Sequence, residues 1–537
     1  MEILDYVVIG SGCTGAMAAQ TLVESGVHVT LLDAGADESK YSSIIPDKDY
    51  LSIRETEQEQ HRYLIGDKGE GIAWGGIKTG EHLTPARKHI LKWVENLLPI
   101  ESNTFFPMES LAYGGLGCAW GLGCCQFSDV ELNAVGLNKF DMQNAYNIVA
   151  NRIGICGAQD DASPYTIGEL KDFQSAPAMD RNHRLLYQNY QKKQKTFAKN
   201  GFYMGRPGLA LLTQAQDNRK AYAYKDMDFY SDNDESAYRP WITINRLKKE
   251  NNFQYINGLL ILKFKEQTDH IDIHALEIET NTIKIFHCKK LILAPGVLGS
   301  ARIVLRSFEE QHKTLPILTN AYSYIPCLQP AMFGKEAEKN KLGFAQLSIF
   351  HNENGNNMDV AMGSIYSYQS LMLFRIIKEA PLNFADARII MRYLMSGILI
   401  MGLHHPETKS ATKYVELIHD ANSITGDKLK INYVLDDIEK NKISAREKKF
   451  KSHLRALGAY AIKSINPGSG SSIHYAGSLP METSGNLFTT LPNGKLAGTK
   501  NVFIADGSGF NYLPAKSLTW SLMANAHLTA LNSLKNE

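Results

Sequence analysis

The pattern of apolar and polar positions at the start of the chain predicts a strand, a helix and a second strand in direct succession. Residues 6–9, YVVI, form a short apolar run that is typical of a buried strand. The stretch AMAAQTLVESG, residues 16–26, is helical in character and ends at Gly26, which suits a helix C-cap. Residues 27–33, VHVTLLD, predict the second strand.

Three glycines, spaced GxGxxG, join the first strand to the helix. Gly10 allows a tight turn, Gly12 lets the backbone approach a pyrophosphate, and Gly15 lets helix and strand pack closely. The helix N-terminus adds free N–H groups and the positive end of the helix dipole. Asp33 follows Gly12 by 21 residues, a spacing at which a carboxylate accepts hydrogen bonds from a ribose diol. This combination predicts a dinucleotide-binding unit.

Two later segments extend the same fold. Residues 253–288 alternate in a way that predicts a small antiparallel meander. Residues 289–308, KKLILAPGVLGSARIVLRSF, predict a strand, a turn at Gly296 and Gly299, and a helix. A meander that returns to a parallel sheet is the usual continuation of an FAD-binding domain. The N-terminal position of the glycine motif also favours FAD over a nicotinamide cofactor.

A glycine run and a closing strand–helix unit add further candidate cofactor contacts. The run ESLAYGGLGCAWGLGCCQF, residues 109–127, excludes a regular helix and predicts backbone against a flat or charged group. A flexible loop is the alternative, although Trp120 and Phe127 are unusual in mobile linkers. Residues 501–508, NVFIADGS, predict a strand, and residues 518–534 a helix whose N-terminus suits an anion.

One histidine lies in a loop of small residues, SGSSIHYAGSLPM, at positions 469–481. His474 in such a segment is either an acid–base catalyst or an ordinary loop histidine. By itself this segment leaves both interpretations open.

Composition narrows the function classes. A chain of 537 residues predicts two domains or one large interleaved domain. The formal net charge of +1, from 57 basic and 56 acidic residues, argues against nucleic acid as a partner. The seven cysteines are odd in number and contain no CxxC pair, which favours a reducing compartment. The opening MEILDYVVIG has no signal-peptide character, so we expect a cytoplasmic protein.

The stretch 370–403 is unusually apolar and is broken by Pro381. We expect core helices there. The alternative is a peripheral membrane contact or an apolar substrate entrance, with basic residues that bind lipid head groups. The interrupting basic residues are Arg375, Lys378, Arg388 and Arg392. The following LHHPE, residues 403–407, predicts no metal site, because adjacent histidines rarely ligate one ion.

Four segments together resemble the glucose–methanol–choline (GMC) family of FAD oxidoreductases. They occur in the family's order, at 7–35, 110–123, 291–307 and 474–528. The glycine run is most similar to the sugar-oxidising branch that contains pyranose 2-oxidase. In that branch a histidine linked covalently to the flavin precedes the tryptophan. Here the residue is Ala119, so the resemblance implies non-covalently bound FAD.

The elements and the resemblance predict an α/β fold with an α+β second domain. A Rossmann-like FAD-binding domain, with a parallel sheet and a β-meander, is expected to be interleaved with an antiparallel-sheet substrate-binding or cap domain. The first comprises residues 1–130, 236–310 and 465–537, and the second residues 131–235 and 311–464. Strand-like runs at 344–350, 359–367 and 428–437, and an amphipathic helix at 443–462, fit the second domain.

The resemblance also implies catalytic roles. The family's catalytic histidine lies in an H-x-x-G segment before a DGS strand end, as His474 does here, 32 residues before Asp506. It takes the hydroxyl proton while hydride moves to flavin N5. The family's second His or Asn corresponds to Ser517, which is a poor base. Ser517 is therefore either a substrate contact or the N-cap of the last helix. Lys516 is expected as an electrostatic group if it points into the site.

These observations predict an FAD-dependent enzyme that oxidises a CH–OH group of a sugar or of another hydroxylated substrate, with or without a lipid link, and that uses an unidentified electron acceptor. The alternative is a non-redox lyase, isomerase or binding protein on the same fold, which the Ser517 departure keeps open. A nicotinamide dehydrogenase is a third reading. The predicted cofactor-binding residues are Gly10, Gly12, Cys13, Gly15, Asp33, Ala34, Gly114, Gly115, Trp120, Gly121, Ala294, Gly296, Asp506, Gly507, Leu518 and Thr519.

Overall fold

The computed structural model describes residues 2–37, 40–48, 50–69, 83–223, 234–310, 312–336, 338, 342–367 and 383–535. They form a mixed α/β fold with several sheets, as the sequence predicts. The helices are Cys13–Glu24 (α1), Tyr50–Thr56 (α2), Gln60–Leu64 (α3), Val94–Leu97 (α4), Asp129–Val135 (α5), Lys139–Ile153 (α6), Arg181–Lys199 (α7), Pro240–Leu247 (α8), Val297–Ser307 (α9), Phe384–Leu394 (α10), Asp437–Ala456 (α11) and Thr519–Leu534 (α12).

The strands follow the same chain order. They are Leu4–Ile9 (β1), Val29–Leu32 (β2), Ile100–Glu101 (β3), Gly123–Cys124 (β4), Cys156–Gly157 (β5), Gln174–Ser175 (β6), Phe202–Gly205 (β7), Gly208–Leu209 (β8), Phe253–Ile256 (β9), Leu259–Glu266 (β10), Ile271–Glu277 (β11), Thr282–Leu293 (β12), Leu315–Pro316 (β13), Leu318–Thr319 (β14), Tyr322–Leu328 (β15), Leu347–His351 (β16), Ala361–Ser367 (β17), Ile398–His404 (β18), Glu407–Thr408 (β19), Lys413–His419 (β20), Asp427–Tyr433 (β21), Tyr460–Ala461 (β22), Tyr475–Ala476 (β23), Val502–Ile504 (β24) and Tyr512–Leu513 (β25).

The largest sheet combines a parallel part with the predicted meander. Its strand order is β10-β11-β12-β1-β2-β9, and β24 also pairs with β12. The long strand β12 connects the two parts. Its first half runs antiparallel to β11, and its second half runs parallel to β1, from Leu4 opposite Cys288 to Ile9 opposite Leu293. The predicted strand–helix–strand unit is confirmed, and the antiparallel meander is confirmed for β10, β11 and β12. Residues 253–256, which were expected in the meander, form β9 instead and pair parallel with β2.

The parallel strands place their carboxyl ends at one edge of this sheet. Strands β1, β2, β12 and β24 end at Ile9, Leu32, Leu293 and Ile504. These end residues are buried. Helix α1 packs against this sheet and against α12, and the Tyr6 hydroxyl donates to the Ser533 carbonyl at 3.0 Å. The residues that follow each strand therefore meet in one place, where the ends of α/β sheets form binding crevices.

A second sheet is antiparallel throughout its six strands, in the order β22-β15-β18-β17-β16-β7. Apolar side chains of α7 and α11, including Leu186, Tyr190 and Phe450, pack in its core. The predicted strands at 344–350, 359–367 and 428–437 are confirmed as β16, β17 and β21. The amphipathic helix is also confirmed, although it spans Asp437–Ala456 and ends before residue 462. The division into two domains stays a prediction.

The apolar stretch 370–403 differs from expectation in its second half. Residues 370–382, with Arg375, Lys378 and Pro381, lie outside the described residues. Residues 384–394 are helical, but 398–404 form the buried strand β18 between β15 and β17, so the helix expected there is wrong. A central strand is apolar on both faces, and its periodicity cannot be distinguished from that of a buried helix. Among the described residues, no helix is long and apolar enough to cross a membrane.

Candidate functional site

The carboxyl ends of the parallel strands open into a cavity of about 350 Å³. Most of the predicted site residues line it, including residues from all four sequence segments. These are Gly10, Gly12, Cys13, Asp33, Ala34, Gly115, Trp120, Gly121, Ala294, Gly296, His474, Asp506, Gly507, Leu518 and Thr519. Gly15, Gly114 and Ser517 lie outside the lining. The fold thus brings together residues that are spread over nearly the whole chain.

The glycine motif has the geometry that its spacing predicts. Gly10 has a φ of +94°, a left-handed conformation that favours glycine. A Cβ on Gly15 would lie 1.8 Å from the Gly10 carbonyl oxygen, so Gly15 acts through close packing rather than through the cavity. A Cβ on Gly12 would meet no atom within 4 Å, because this glycine faces open space. The backbone at Gly12 is therefore accessible to a ligand.

Three helices present their N-termini to the same cavity. Helices α1, α9 and α12 have the N-cap residues Gly12, Gly296 and Leu518, and none of the three makes a side-chain capping hydrogen bond. Residues of each first turn line the cavity. The first four N–H groups of a helix lack intrahelical partners, and the N-terminus carries partial positive charge. This arrangement suits an elongated, negatively charged ligand.

Asp33 supplies a buried carboxylate to the cavity wall. Its Oδ2 accepts hydrogen bonds from the Ser11 hydroxyl at 2.5 Å and from the Tyr255 hydroxyl at 2.9 Å. Its Oδ1 lies 3.4 Å from the Ser11 N–H. The Ser11 hydroxyl in turn accepts from the Gly114 N–H at 2.8 Å. Burial raises the pKa of Asp33 to about 6, and Oδ1 keeps capacity to accept a further hydrogen bond.

The glycine run is tied to the protein, so the flexible-loop alternative is wrong. Residues Gly115–Cys118 form a 3₁₀ turn. The buried Arg239 guanidinium donates to the Trp120 carbonyl at 2.5 Å, and the buried Arg87 guanidinium donates to the Cys118 carbonyl at 2.9 Å. Two arginines distant in the sequence thus fix the backbone beneath the cavity.

His474 is placed by a short antiparallel ladder. Strand β23 pairs with β14, with Leu318 opposite Ala476 and Thr319 opposite Tyr475. The same register brings Asn320 beside His474, and the distance from Asn320 Oδ1 to His474 Nδ1 is 2.9 Å. Ile473, directly before the histidine, has a φ of +60°, which is strained for a β-branched residue.

The surroundings of Asn320 determine which nitrogen of His474 carries the proton. Asn320 Nδ2 donates to the His405 carbonyl at 2.8 Å and to the Pro514 carbonyl at 3.1 Å. Its Oδ1 must therefore face the imidazole as an acceptor. His474 Nδ1 consequently donates its hydrogen, and Nε2 is left with a free lone pair. This is the tautomer that a general base requires at Nε2.

A second imidazole lies against the first. The rings of His404 and His474 stack with their centroids 4.9 Å apart and an interplanar angle of 19°. Tyr322 packs on His404, and the centroids of these two rings are 4.4 Å apart. Burial lowers the pKa of His474 to about 4, and burial together with His474 lowers that of His404. Both imidazoles are therefore neutral near pH 7.

The structure separates Ser517 and Lys516 from the cavity lining. Ser517 packs on Gly123 and lies beside the Cys125 thiol. The N-cap of α12 is Leu518, so the alternative N-cap role of Ser517 is wrong. Its part in catalysis stays a prediction.

Lys516 forms a buried ion pair with Glu131 at 2.7 Å and donates to the Gln126 carbonyl at 3.1 Å. Both side chains of the pair are 1% exposed. The expected electrostatic role of Lys516 in the site is therefore wrong. The ion pair holds α5 against the segment that leads into α12.

Sequence reasoning missed several residues that shape the site. Ser11 lies inside the GxGxxG motif, and its contact with Asp33 was open to prediction from that position. Tyr255, Asn320 and His404 belong to no motif, and only the pairing of distant strands brings them to the cavity residues.

No protein-family model matches the sequence, and no curated protein matches it either. Among solved structures, the chain is similar to pyridoxine 4-oxidase from Mesorbium loti, a GMC oxidoreductase. The TM-score is 0.59, the sequence identity is 12%, and the alignment covers 98% of each chain. The predicted resemblance to the GMC family is thus confirmed at the level of the fold. The nearer likeness to the sugar-oxidising branch stays a prediction.

Proposed function

We propose that this chain is an FAD-dependent oxidoreductase that oxidises a CH–OH group, with His474 as the general base. The observation that supports this most strongly is the meeting of two features in one cavity. Three uncapped helix N-termini and Asp33 suit a dinucleotide. A neutral imidazole with its Nδ1–H engaged lines the same space.

The residues of the cavity fit FAD. The open backbone at Gly12 and the first turn of α1 would hold the pyrophosphate, and Asp33 Oδ1 would accept from the adenosine ribose. The first turn of α12, with Leu518 and Thr519, would offer N–H groups to the redox-active ring. When bound, FAD supplies the hydride acceptor for alcohol oxidation. Ala119 offers no side-chain atom for a covalent link, so we propose non-covalent binding.

His474 removes the proton from the substrate hydroxyl in this proposal. Its Nε2 is the free acceptor, and burial keeps the imidazole neutral near pH 7. Proton removal raises the electron density on the oxygen and makes the C–H bond of the same carbon easier to break. Once His474 is protonated, its Nδ1–H bond to Asn320 becomes charge-assisted and stabilises the cation.

The fold supports separate roles for the two large sheets, one in FAD binding and the other in substrate binding. We propose that the parallel sheet with its meander belongs to a Rossmann-like FAD-binding domain, interleaved with a substrate-binding domain built on the antiparallel sheet. The aromatic stack that reaches His474 comes from β15 and β18 of the second sheet. The substrate proposed is a sugar or another hydroxylated molecule, with or without a lipid link.

A membrane contact is proposed for the described part of 370–403. Helix α10 exposes Ile389, Ile390 and Tyr393 to 70%, 44% and 58%, and Arg392 lies in its last turn. Exposed apolar side chains beside a basic residue suit the interface of an anionic bilayer, where a lipid-linked alcohol would be presented.

An anaerobic absorbance experiment tests the proposed function. The purified protein is expected to be yellow, to release FAD on denaturation, and to lose its oxidised flavin absorbance when a true substrate is added. The panel contains sugars, long-chain alcohols and pyridoxine, the last because of the structural neighbour. A protein that does not bind FAD even after reconstitution would overturn the cofactor proposal. A flavin that no member of the panel reduces would favour a non-redox function.

A further inference from the structure

The β-meander carries a cluster of two imidazoles and one carboxylate. Asp272 on β11 lies opposite His287 on β12, and the distance from Asp272 Oδ1 to His287 Nδ1 is 2.7 Å. His270, directly before β11, directs its Nε2 to the same oxygen at 3.0 Å. Three potential ligand atoms from separate side chains thus converge, all within 4.8 Å of one another.

Neighbouring groups fix the orientation of these side chains. The Asp269 carboxylate is 2.7 Å from His270 Nδ1 and accepts its hydrogen, so Nε2 is directed into the cluster. Gln267 Nε2 donates to Asp272 Oδ2 at 2.7 Å and leaves Oδ1 facing the histidines. Metal-bound histidines generally donate their other N–H to a carboxylate or carbonyl, and metal-bound carboxylates are hydrogen-bonded in the same way.

The donor set and the exposure suit one class of ion. Two imidazole nitrogens and one carboxylate oxygen are preferred by Zn²⁺ and other divalent first-row ions, whereas Mg²⁺ and Ca²⁺ prefer oxygen alone. Ligand atoms around a tetrahedral zinc lie roughly 3.3 Å apart, so small side-chain shifts would admit an ion. The side chains are 14% to 18% exposed, which leaves an open side for water ligands.

We propose that His270, Asp272 and His287 bind a divalent transition-metal ion, with water completing its coordination. The ion would join the turn before β11 to strand β12 and so brace the meander. None of the three residues lines the cofactor cavity, so this site is independent of the proposed oxidation. No sequence motif indicates this site, because Asp272 and His287 are 15 residues apart and meet only through the pairing of β11 with β12.

Zinc titration by calorimetry tests the proposal. The protein is prepared without a histidine tag, stripped with chelator, and titrated with Zn²⁺. We expect one equivalent to bind and to raise the melting temperature. Asp272→Asn and His287→Gln should abolish this binding, and Asp269→Asn should weaken it about 10- to 100-fold. His274→Gln is the matched control, because His274 lies on the same face of β11 but outside the cluster, and it should bind as the wild type does.

Two outcomes would overturn the proposal. One is a wild-type protein that binds no zinc although circular dichroism shows it folded. The other is undiminished zinc binding by the Asp272 and His287 variants, which would place the ion elsewhere. Co²⁺ substitution adds a readout, since thiolate-to-metal charge transfer in its spectrum would assign the ion to cysteines instead. The flavin content of each variant reports separately on the proposed function.

Discussion

Replacement of His474 by alanine is expected to slow substrate-dependent reduction of bound FAD by about 100- to 10,000-fold, the usual contribution of a general base. Because a tenfold change corresponds to 1.36 kcal/mol, this range is about 3–5 kcal/mol of transition-state free energy. Flavin binding should be retained, because the glycine motif, Asp33 and the helix N-termini remain in place. The variant therefore separates proton removal from cofactor binding.

The pH dependence of the flavin reduction rate provides a second, independent test of the role of His474. Burial lowers the pKa of His474 to about 4, from the ordinary imidazole value near 6.5. Only the neutral imidazole acts as a base, so the rate of flavin reduction should stay constant from pH 8 to about pH 5. It should be halved near pH 4. The same shift means that protonation favours the unfolded state, so His474 reduces the free energy of unfolding as the pH falls from 6.5 to 4.

The assay is anaerobic stopped-flow measurement of flavin absorbance, with substrate in excess and pH varied. His419→Ala is the matched control, since His419 is an exposed histidine on β20. The His474 variant must contain as much FAD as the wild type for the comparison to hold. Reduction of that variant at the wild-type rate would refute the base assignment. A midpoint near pH 6.5 in the wild type would refute the argument from burial.

Three further predictions concern residues around the site. Asn320→Leu should lower the flavin reduction rate about tenfold, because it removes the hydrogen bond to His474 Nδ1, worth about 1–1.5 kcal/mol, that holds the tautomer with Nε2 as the base. A variant with unchanged flavin content and an unchanged rate would contradict this. Lys516→Met should reduce the free energy of unfolding by about 3–5 kcal/mol in urea titrations, because Glu131 is left as an unpaired buried carboxylate. Ile389→Glu should abolish cosedimentation with vesicles of anionic lipid, and retained binding would exclude α10 as the contact.

The cofactor side of the molecule was predictable because its signals are local. Strand β1, helix α1 and strand β2 follow one another within 29 residues, and each glycine acts on its immediate neighbours. The carboxyl ends of parallel strands always share an edge, so Asp33 and the residues after β12 and β24 were expected together. Local pattern and topology agree there.

The residues around His474 and Lys516 meet only through contacts between distant parts of the sequence, so the sequence predicts them less well. Asn320 and His474 are 154 residues apart, and a ladder of two residues per strand aligns them. Lys516 and Glu131 are 385 residues apart, and no motif links them. The sequence predicts a helix where strand β18 lies, because a strand covered on both sides has no polar face to reveal its period.

This chain has Ser517 where the GMC family has its second His or Asn, and in the structure other residues contact His474. Ser517 lies beside the Cys125 thiol, whereas His474 contacts Asn320 after β14 and His404 at the end of β18. The histidine is thus oriented from the side of the antiparallel sheet rather than from the terminal helix. In the proposed function, cofactor affinity and proton removal would therefore depend on different side chains. A change at Asp33 should weaken FAD binding without altering the reduction rate at saturating FAD. A change at Asn320 should lower the reduction rate without altering FAD binding.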